Sequence, residues 1–289
     1  MLAIFKREYK SYFISMLGYV FMSILLMVIG LCYYWINLHS ANAFIGYSLQ
    51  YSYVTMVFMV LVPVVTMKIF ADEKRLKTDQ LLLTSPVSVT KIVLGKFFAI
   101  AAVFAIPVLI VCIYPILLTQ YGTVNIGMSY VSILGFFLMG LAYLSIGIFV
   151  SSLTENQIIS AVVTFIILML SFMVSSLVTV IPSSAIVSFI ACIVIVMLLG
   201  LLVKSLMGSK KIGIIFTIVA EIAVIALYLM KSSIFEGLLQ KILMQMSLSG
   251  YYENFVGGIF DLTAVVYYIS VVILFLFLTV QSIQKRRWS

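Results

Sequence analysis

Residues 97–118 read FFAIAAVFAIPVLIVCIYPILL, a run of 22 residues without a charged side chain. A helix of about 20 such residues crosses the hydrocarbon core of a bilayer. Similar runs recur along the 289-residue chain, in which 64% of the residues are hydrophobic and 9% are charged. So few charges exclude a soluble enzyme and a disordered chain. Because the runs approach 20 residues rather than alternating over about 10, the sequence predicts an all-α polytopic membrane protein.

The hydrophobic pattern predicts about eight transmembrane helices in a single transmembrane domain, residues 1–289. The predicted spans are residues 16–36, 53–70, 97–118, 130–150, 157–181, 185–203, 212–230 and 263–280. Only Pro182, Ser183 and Ser184 separate the fifth from the sixth, so one broken segment is the alternative there. With the N-terminus inside, 15 of the 17 basic residues fall on the inner side. The positive-inside rule therefore predicts eight spans with both termini cytoplasmic.

Three segments outside the spans have a distinct pattern. Residues 1–15 place Phe5 and Tyr9 on one helical face and Lys10 off it, which predicts an N-terminal interfacial elbow helix. A cleaved signal peptide is the weaker alternative, because the following apolar run is too long. Residues 71–96 are predicted to be cytoplasmic, and residues 231–262 to be external.

The cytoplasmic segment joins a charged stretch to a leucine triplet. Up to Thr84 it suits a short helix, and Pro86 then disfavours helical geometry at Ser85 and forces a turn. An amphipathic cytosolic helix of this kind inserts into a groove on a partner protein. The alternative is an ordinary loop helix that lies on lipid.

The next inner turn is Thr154-Glu155-Asn156-Gln157. We expect a capping box here, with Thr154 as N-cap and Gln157 at the third helical position. This interpretation makes the turn a well-formed start for the fifth span.

The external segment has apolar residues at helical spacing from Ile234 to Met246, with Glu236 and Lys241 on the other face. It predicts an external amphipathic helix, either an interfacial anchor or an outer gate or dock for an accessory extracytoplasmic protein. The residues assigned to that gate or contact are Phe235, Leu239, Tyr251 and Asp261.

Glu221 is the exceptional residue within the spans. A carboxylate near the middle of a span is costly and should face the bundle interior or water. Thr217 and Tyr228 share its helical face. It is interpreted either as a substrate-path or conformational residue, or as a protonated glutamic acid that joins two helices.

Several motifs are absent from the sequence. It has no G-x-x-x-x-G-K-[ST] loop to hold ATP phosphates, no H-E-x-x-H motif, and three cysteines without a metal-ligand spacing. We therefore expect no cofactor on this chain and no catalytic site of its own. The net charge of +8 comes mainly from basic residues on the inner side of the predicted spans. We therefore expect no nucleic-acid partner.

The sequence resembles the membrane subunit of type-2 ABC exporters, in the subgroup of the gliding-motility and nitrous-oxide-reductase-maturation permeases. The resemblance covers about residues 1–181 and 247–288. It rests on the following stretches: Phe5-Lys6-Arg7-Glu8, Phe70-Ala71-Asp72-Glu73, Leu81-Leu82-Leu83-Thr84-Ser85-Pro86-Val87 with Gly95-Lys96, Ser152 to Gln157, and Gly258-Ile259-Phe260-Asp261-Leu262.

The resemblance implies a cytoplasmic coupling helix, residues 72–88, docked on a separate ATP-binding subunit. The residues that it assigns to this coupling are Glu73, Arg75, Leu81, Leu82, Thr84 and Pro86. Thr154, Glu155, Asn156 and Gln157 would form a second cytoplasmic contact. It also implies two copies of the ATP-binding subunit, which carry ATP and Mg, and a second permease subunit. The family commonly has six spans, so residues 185–230, with Glu221, look like an inserted pair.

The leading prediction is thus the permease subunit of an ATP-driven exporter in a bacterial cytoplasmic membrane. The apolar spans favour an amphipathic or hydrophobic substrate, a peptide among them, or conformational work on an extracytoplasmic partner. One alternative is a membrane scaffold or assembly factor without an ATPase. Another is an ion-coupled carrier that uses Glu221.

Overall fold

The computed structural model describes residues 1–50, 52–78, 87–207 and 232–288. Between 207 and 232 it describes only Thr217, Glu221, Ile222, Val224, Leu227 and Tyr228. The regular structure of these described residues is helical. The chain divides into two compact units, unit 1 with Met1–Leu170 and Tyr251–Ser289, and unit 2 with Ser171–Gly250.

Thirteen α-helices are numbered here in chain order over the described residues. They are α1 (Leu2–Ile14), α2 (Leu17–Cys32), α3 (Gly46–Gln50), α4 (Ser52–Thr66), α5 (Lys68–Arg75), α6 (Val89–Val111), α7 (Tyr114–Leu118), α8 (Ile126–Leu153), α9 (Gln157–Val180), α10 (Ala185–Met207), α11 (Leu238–Met246), α12 (Tyr252–Val256) and α13 (Leu262–Trp288). A π-helical stretch, Tyr33–His39, extends α2, and a 3-10 turn, Ser232–Phe235, precedes α11.

Six stretches of the described residues are long and apolar enough to cross a membrane. They are Leu17–His39, Ser52–Arg75, Val89–Leu118, Ile126–Leu153, Gln157–Ser175 and Leu262–Lys285. The predicted all-helical polytopic class is therefore confirmed. The predicted sixth span falls in α10, where Ala185–Val194 counts as a shorter apolar helix. The seventh, residues 212–230, lies almost entirely outside the described residues, so the number eight stays a prediction.

The core of unit 1 is built around α8. Of the most apolar 18 residues in the span of α8, 72% are buried, whereas 28% are buried in the spans that contain α2 and α13. Phe58 of α4 and Phe104 of α6 have ring centroids 5.1 Å apart, and both rings pack close to Phe136 of α8. Gly140 of α8 makes room for them, since an added Cβ would lie 2.3 Å from the Phe104 ring. The small and aromatic side chains of α8 therefore fix its distance from α4 and α6.

The span that contains α4 and α5 is interrupted at Met67. Pro63 lies inside α4, and the Thr66 hydroxyl bonds back to the Val62 carbonyl oxygen at 2.9 Å. Both features weaken a regular helix locally. Gly147 of α8 approaches so closely that a Cβ there would lie 2.3 Å from Thr66 Oγ1. The chain therefore starts α5 as a separate helix held against α8.

The predicted N-terminal helix is present as α1, with Phe5, Tyr9 and Phe13 forming a row of ring contacts. Tyr12 is buried, and its hydroxyl donates to the Val65 carbonyl oxygen at 3.2 Å. Ile4 and Met1 lie against Gly95 of α6. The helix is therefore attached to α4 and α6 and does not lie apart from the bundle.

Within unit 2, α11 is tied to the turn between α9 and α10. The Gln240 amide donates to the Ile181 carbonyl oxygen at 2.7 Å, and the Leu239 N–H donates to Ser188 Oγ at 3.3 Å. Gly237 has a φ of +69°, a left-handed conformation that suits glycine. It separates the 3-10 turn from α11, so the expectation of one continuous amphipathic helix from Ile234 to Met246 is wrong.

Candidate functional site

The end of unit 1 that carries α1, α5 and the C-terminal end of α13 is called the basal end here. The opposite end is called the distal end. The predicted cytoplasmic segment, residues 71–96, belongs to the basal end, because it begins within α5 and ends within α6. The bonds of α5 attach this part of the chain to the neighbouring helices.

The start of α5 is held by α8. Ser151 Oγ accepts from the N–H groups of Phe70 and Ala71, at 3.1 and 3.2 Å, and donates to the Met67 carbonyl oxygen at 3.0 Å. The first N–H groups of a helix have no partner within the helix, so Ser151 acts as a cap supplied by a neighbouring helix. The Lys74 ammonium donates to the carbonyl oxygen of Ser152 at the end of α8.

A buried ion network joins α5 to α6 and α1. Lys96 of α6 is 1% exposed, and its Nζ lies 2.8 Å from Glu73 Oε2 and 3.4 Å from Glu8 Oε1. The same ammonium donates to the Ile69 carbonyl oxygen at 2.7 Å and lies 4.8 Å from the centre of the Phe70 ring. Arg7 of α1 completes the network, since its Nη2 donates to Glu73 Oε1 at 2.8 Å.

The four charges of this network balance, two positive and two negative. The balance matters because an unpaired charge at a buried position is strongly destabilising. Burial, the largest single effect, lowers the pKa of Arg7. The hydrogen bonds and attraction of Glu8 and Glu73 outweigh it and raise that pKa above its ordinary value. Arg7 itself is half exposed, so its own pair with Glu73 adds less than the pair with Lys96.

The second inner turn is joined to α5 through Gln157. The Gln157 side-chain amide donates to Asp72 Oδ1. Asn156 Oδ1 accepts from the N–H groups of Ile158 and Ile159, at 2.9 and 3.4 Å. Asn156 is therefore the N-cap of α9, and the expected capping box with Thr154 as N-cap is wrong. Thr154 Oγ1 instead accepts from the Asn156 N–H at 3.1 Å and holds the turn, while Glu155 is exposed.

The predicted coupling residues fall into two groups. Glu73 is directed into the ion network, whereas the Arg75 side chain is 62% exposed and bonds Asp72 at 3.1 Å. Leu81, Leu82, Thr84 and Pro86 lie outside the described residues. The described part of the segment is thus its anchored base, and Arg75 and Lys77 are exposed charges on it.

A cleft of about 450 Å3 lies between α1 and α5 at the basal end. Its walls include Arg7, Tyr12, Lys68 and Asp72, and it reaches Thr78, the last described residue before the gap. The cleft therefore presents charged and polar groups beside the predicted partner-binding segment.

The predicted outer residues are divided between the two units. Phe235 is buried in unit 2, where its ring contacts Phe189 and Tyr228, at 6.0 and 5.5 Å. Leu239 belongs to unit 2 as well, and its N–H is bonded to Ser188. Tyr251 and Asp261 belong to unit 1.

The two residues in unit 1 have local packing and hydrogen-bond partners, and their predicted role as an outer gate or contact stays a prediction. The Tyr251 ring stacks on Tyr267 at 4.1 Å. Asp261 accepts from the Asn254 amide and from the Thr263 N–H, both at 2.8 Å, and so caps α13. Glu221 is partly buried within unit 2. No group of metal-ligating side chains occurs among the residues that the structure describes.

Sequence patterns missed the partners that hold α5. The sequence identifies Lys96 as an inner basic residue and as part of the Gly95-Lys96 stretch of the family resemblance, but it predicts neither the pairing with Glu8 nor the cap from Ser151. One signal was present, because Lys96 is a charged residue at the start of a long apolar run. An apolar neighbourhood requires a counter-charge for such a group, but the sequence does not say which carboxylate supplies it.

Comparison with protein families gives a match over about half of the chain. The model of a family described as ABC-2 family transporter protein matches residues 36–189. This range is 154 of the 289 residues, slightly more than half of the chain. It contains α5 together with Lys96, Ser151 and Gln157. Comparison with curated proteins gives no match, and neither does comparison with solved structures.

Proposed function

Because the chain belongs to the ABC-2 transporter family and is a multi-pass permease of the ABC type, we propose that it is the membrane subunit of an ATP-driven exporter. A separate ATP-binding subunit supplies the hydrolysis. In this proposal residues 72–88 dock on that subunit, and the basal end of unit 1 is cytoplasmic. ATP and Mg are bound by the partner.

The observation that carries the proposal is the way α5 is fixed. It is joined to α8 by Ser151 and Lys74, to α6 by Lys96, to α1 by Arg7 and to α9 by Gln157. A helix start needs a cap and a buried lysine needs a counter-charge in any protein, but a segment that only linked two spans would not need links to four neighbouring helices. A segment that receives a force from a partner must pass it to the spans without bending, and five links in the helical framework provide that stiffness.

The family supports a proposal for the assembly. We propose that two permease subunits and two ATP-binding subunits form the working complex, and that closure of the ATP-binding subunits moves both α5 helices. The moved elements are then α1, α6, α8 and α9. The turn at Thr154, Glu155 and Asn156 lies next to Asp72 through Gln157, and is proposed as the second contact surface.

The substrate is proposed to be amphipathic or hydrophobic. The exposed faces of α2, α9 and α13 carry aliphatic and aromatic side chains such as Met27, Trp35, Ile166, Ile273 and Phe277. Such faces suit lipid, a second permease subunit and an apolar substrate alike. Work on an extracytoplasmic partner, without transport, is a variant of the same proposal. The likeness to the gliding-motility and nitrous-oxide-reductase-maturation permeases stays a prediction.

The test is co-purification from native membranes in mild detergent, followed by an ATPase assay. Leu82→Asp places a charge at the centre of the predicted docking helix and is expected to remove the ATP-binding subunit and its activity. Leu82→Met keeps an apolar side chain of similar size and serves as the matched control. An ATPase retained by Leu82→Met and lost by Leu82→Asp supports the proposal.

A second variant separates docking from transmission. Glu73→Gln leaves residues 81–86 unchanged but weakens the link from α5 to Lys96 and Arg7. The ATP-binding subunit should still co-purify. Its ATPase rate, however, should no longer change when the permease is transporting. If no ATP-binding protein accompanies the wild-type chain in several detergents, the exporter proposal is wrong and a scaffold role replaces it.

A further inference from the structure

The cleft between α1 and α5 lies where two spans end. Its walls include Leu17, the first residue of the span Leu17–His39, and Lys68 and Ile69, which lie in α5 at the end of the span Ser52–Arg75. A span ends where the hydrocarbon core of the bilayer gives way to the layer of lipid headgroups. The cleft, of about 450 Å3, is therefore at the level of the headgroups on the basal side of unit 1.

Apolar side chains accompany the polar ones at the cleft. Ile14 and Met16, on either side of Ser15 in the sequence, are 72% and 71% exposed, and Leu76 on the cleft wall is 61% exposed. Exposed apolar groups at the boundary of the membrane contact acyl chains. A ligand in this cleft therefore meets hydrocarbon as well as charge, which favours a lipid over a water-soluble anion.

The charged groups at the cleft balance except for one lysine. The ion network of α1, α5 and α6 is neutral, with two positive and two negative groups. The remaining carboxylate of the cleft, that of Asp72, is paired with Arg75 at 3.1 Å. Lys68 is partly buried on the cleft wall and makes no ion pair with any residue that the structure describes. The cleft therefore carries one surplus positive charge.

Hydroxyl donors lie on the α1 side of the cleft. Ser11 and Ser15 both line it and are exposed, and within the described residues neither hydroxyl group has a hydrogen-bond partner. Together with the Lys68 ammonium they offer one positive charge and two neutral donors. A phosphodiester has one negative charge and two free oxygens that accept such bonds, so this set of groups matches it.

We propose that the cleft between α1 and α5 binds an anionic phospholipid of the basal leaflet, with Lys68 as the counter-charge of its phosphate and Ser11 and Ser15 as hydrogen-bond donors. The acyl chains lie on the side of Met16 and Leu76. An anionic lipid cancels the surplus charge of the cleft, whereas a zwitterionic lipid brings a cation of its own and leaves the surplus in place. The site belongs to this chain alone and does not depend on an ATP-binding subunit.

The test measures the protection of a thiol by lipid in the purified full chain, in mild detergent, after alanine has replaced the three native cysteines. Ser15→Cys is the reporter in the cleft, and Ser11→Cys is a second reporter that keeps the other hydroxyl. Thr90→Cys, at an exposed basal position outside the cleft wall, is the reference. The reagent is an uncharged maleimide, so that the lipid neither attracts nor repels it. The ligand is dioleoyl phosphatidylglycerol, and dioleoyl phosphatidylcholine is the control with the same chains and no net charge.

We expect phosphatidylglycerol to protect the cleft reporters and not the reference. At ten times the lipid concentration that gives half protection, labelling of Ser15→Cys should be slowed roughly tenfold by mass action. Labelling of Thr90→Cys should change less than about twofold, because diffuse attraction to an exposed surface is screened. Phosphatidylcholine should require a higher concentration for the same protection.

Variants of Lys68 test the counter-charge. Lys68→Gln should raise the lipid concentration for half protection by at least roughly fivefold, the factor that one basic group near lipid headgroups contributes. Lys68→Arg keeps the charge and should keep most of the protection. Lys91→Gln removes an exposed charge from the same end of unit 1 and should shift that concentration by no more than about twofold.

Three results would overturn the proposal. Equal protection by the two lipids would show that net charge does not select the ligand. Protection by glycerol 3-phosphate at the same concentrations would make this a site for soluble phosphate rather than for lipid. Equal slowing of Thr90→Cys, or equal shifts for Lys68→Gln and Lys91→Gln, would mean diffuse attraction to the basal surface and no site in the cleft.

Discussion

Lys96 Nζ lies 2.8 Å from Glu73 Oε2, with the lysine almost completely buried. Glu73 lies at the start of residues 72–88, the segment predicted to dock on the ATP-binding subunit, and Lys96 lies in α6, which follows that segment. Glu8 and Arg7 of α1 lie within the same network. One buried ammonium therefore holds together the two ends of that segment and the N-terminal helix.

The first prediction concerns the charge balance of this network. Lys96→Met leaves Arg7 alone against Glu8 and Glu73, so the detergent-solubilised protein should lose about 3 kcal/mol of stability. The double variant Lys96→Met/Glu73→Gln restores the balance as Arg7 with Glu8, and should recover at least about 1 kcal/mol. Thermal unfolding of the three proteins measures both effects.

Lys91→Met is the control for this series. Lys91 lies on the same helix but is exposed, so its removal should change stability by no more than about 0.5 kcal/mol. Equal losses for Lys91→Met and Lys96→Met, or a double variant less stable than Lys96→Met, would show that the network does not act as a balanced unit.

The second prediction concerns the contact of α8 with α4. A Cβ on Gly147 would lie 2.3 Å from Thr66 Oγ1 and 2.8 Å from Thr66 Cβ. Gly147→Ala should therefore destabilise the protein by about 1–3 kcal/mol through overpacking. Gly127→Ala on the same helix meets only Asn125 Oδ1 at 3.5 Å. It should stabilise by roughly 0.5 kcal/mol through the better helix propensity of alanine. Opposite signs of the two shifts in thermal unfolding support the packing described; a shared sign contradicts it.

The third prediction compares two buried tyrosines. The Tyr143 hydroxyl of α8 is buried without a hydrogen-bond partner in the described part of the chain. By contrast, the Tyr12 hydroxyl donates to the Val65 carbonyl oxygen at 3.2 Å. Tyr143→Phe should thus leave stability unchanged or raise it by about 1 kcal/mol, while Tyr12→Phe should lower it by about 1 kcal/mol. A loss for Tyr143→Phe as large as that for Tyr12→Phe would mean that the Tyr143 hydroxyl has a bonding partner.

Long apolar runs were sufficient to predict the helical membrane class, because every span must be long enough to cross the hydrocarbon core of the bilayer. Helix ends were less predictable. Both Thr154 and Asn156 are good N-cap residues, and only the path of the turn decides that Asn156 caps α9. From the sequence alone Gly237 could lie within a helix. In the structure its φ of +69° is left-handed and interrupts the helical backbone before α11.

Short inserted helices and distant partners were the parts that sequence did not reveal. Five residues such as Tyr252–Val256 are too few to display a helical period, so α3 and α12 were not predicted. The partners of Lys96 are 23 and 88 positions away in sequence, at Glu73 and Glu8. Charge patterning places such residues on one side of the membrane, but it does not pair them.

The last prediction concerns pH and the cap of α13. Asp261 has a pKa below its ordinary value of 3.8, mainly because its carboxylate accepts from the Asn254 amide, and the Thr263 N–H adds to the effect. A carboxyl group whose pKa is lowered by folding stabilises the folded state above its unfolded pKa. That contribution is lost as the pH falls from about 4 through the folded value. Thermal unfolding of the wild type between pH 6 and pH 3, values that bracket the carboxyl range, should therefore show a steeper decline than that of Asp261→Asn, in which only the other carboxylates titrate. Asn is itself a good N-cap and keeps the helix start, so identical pH profiles would mean that Asp261 contributes no pH-dependent stability.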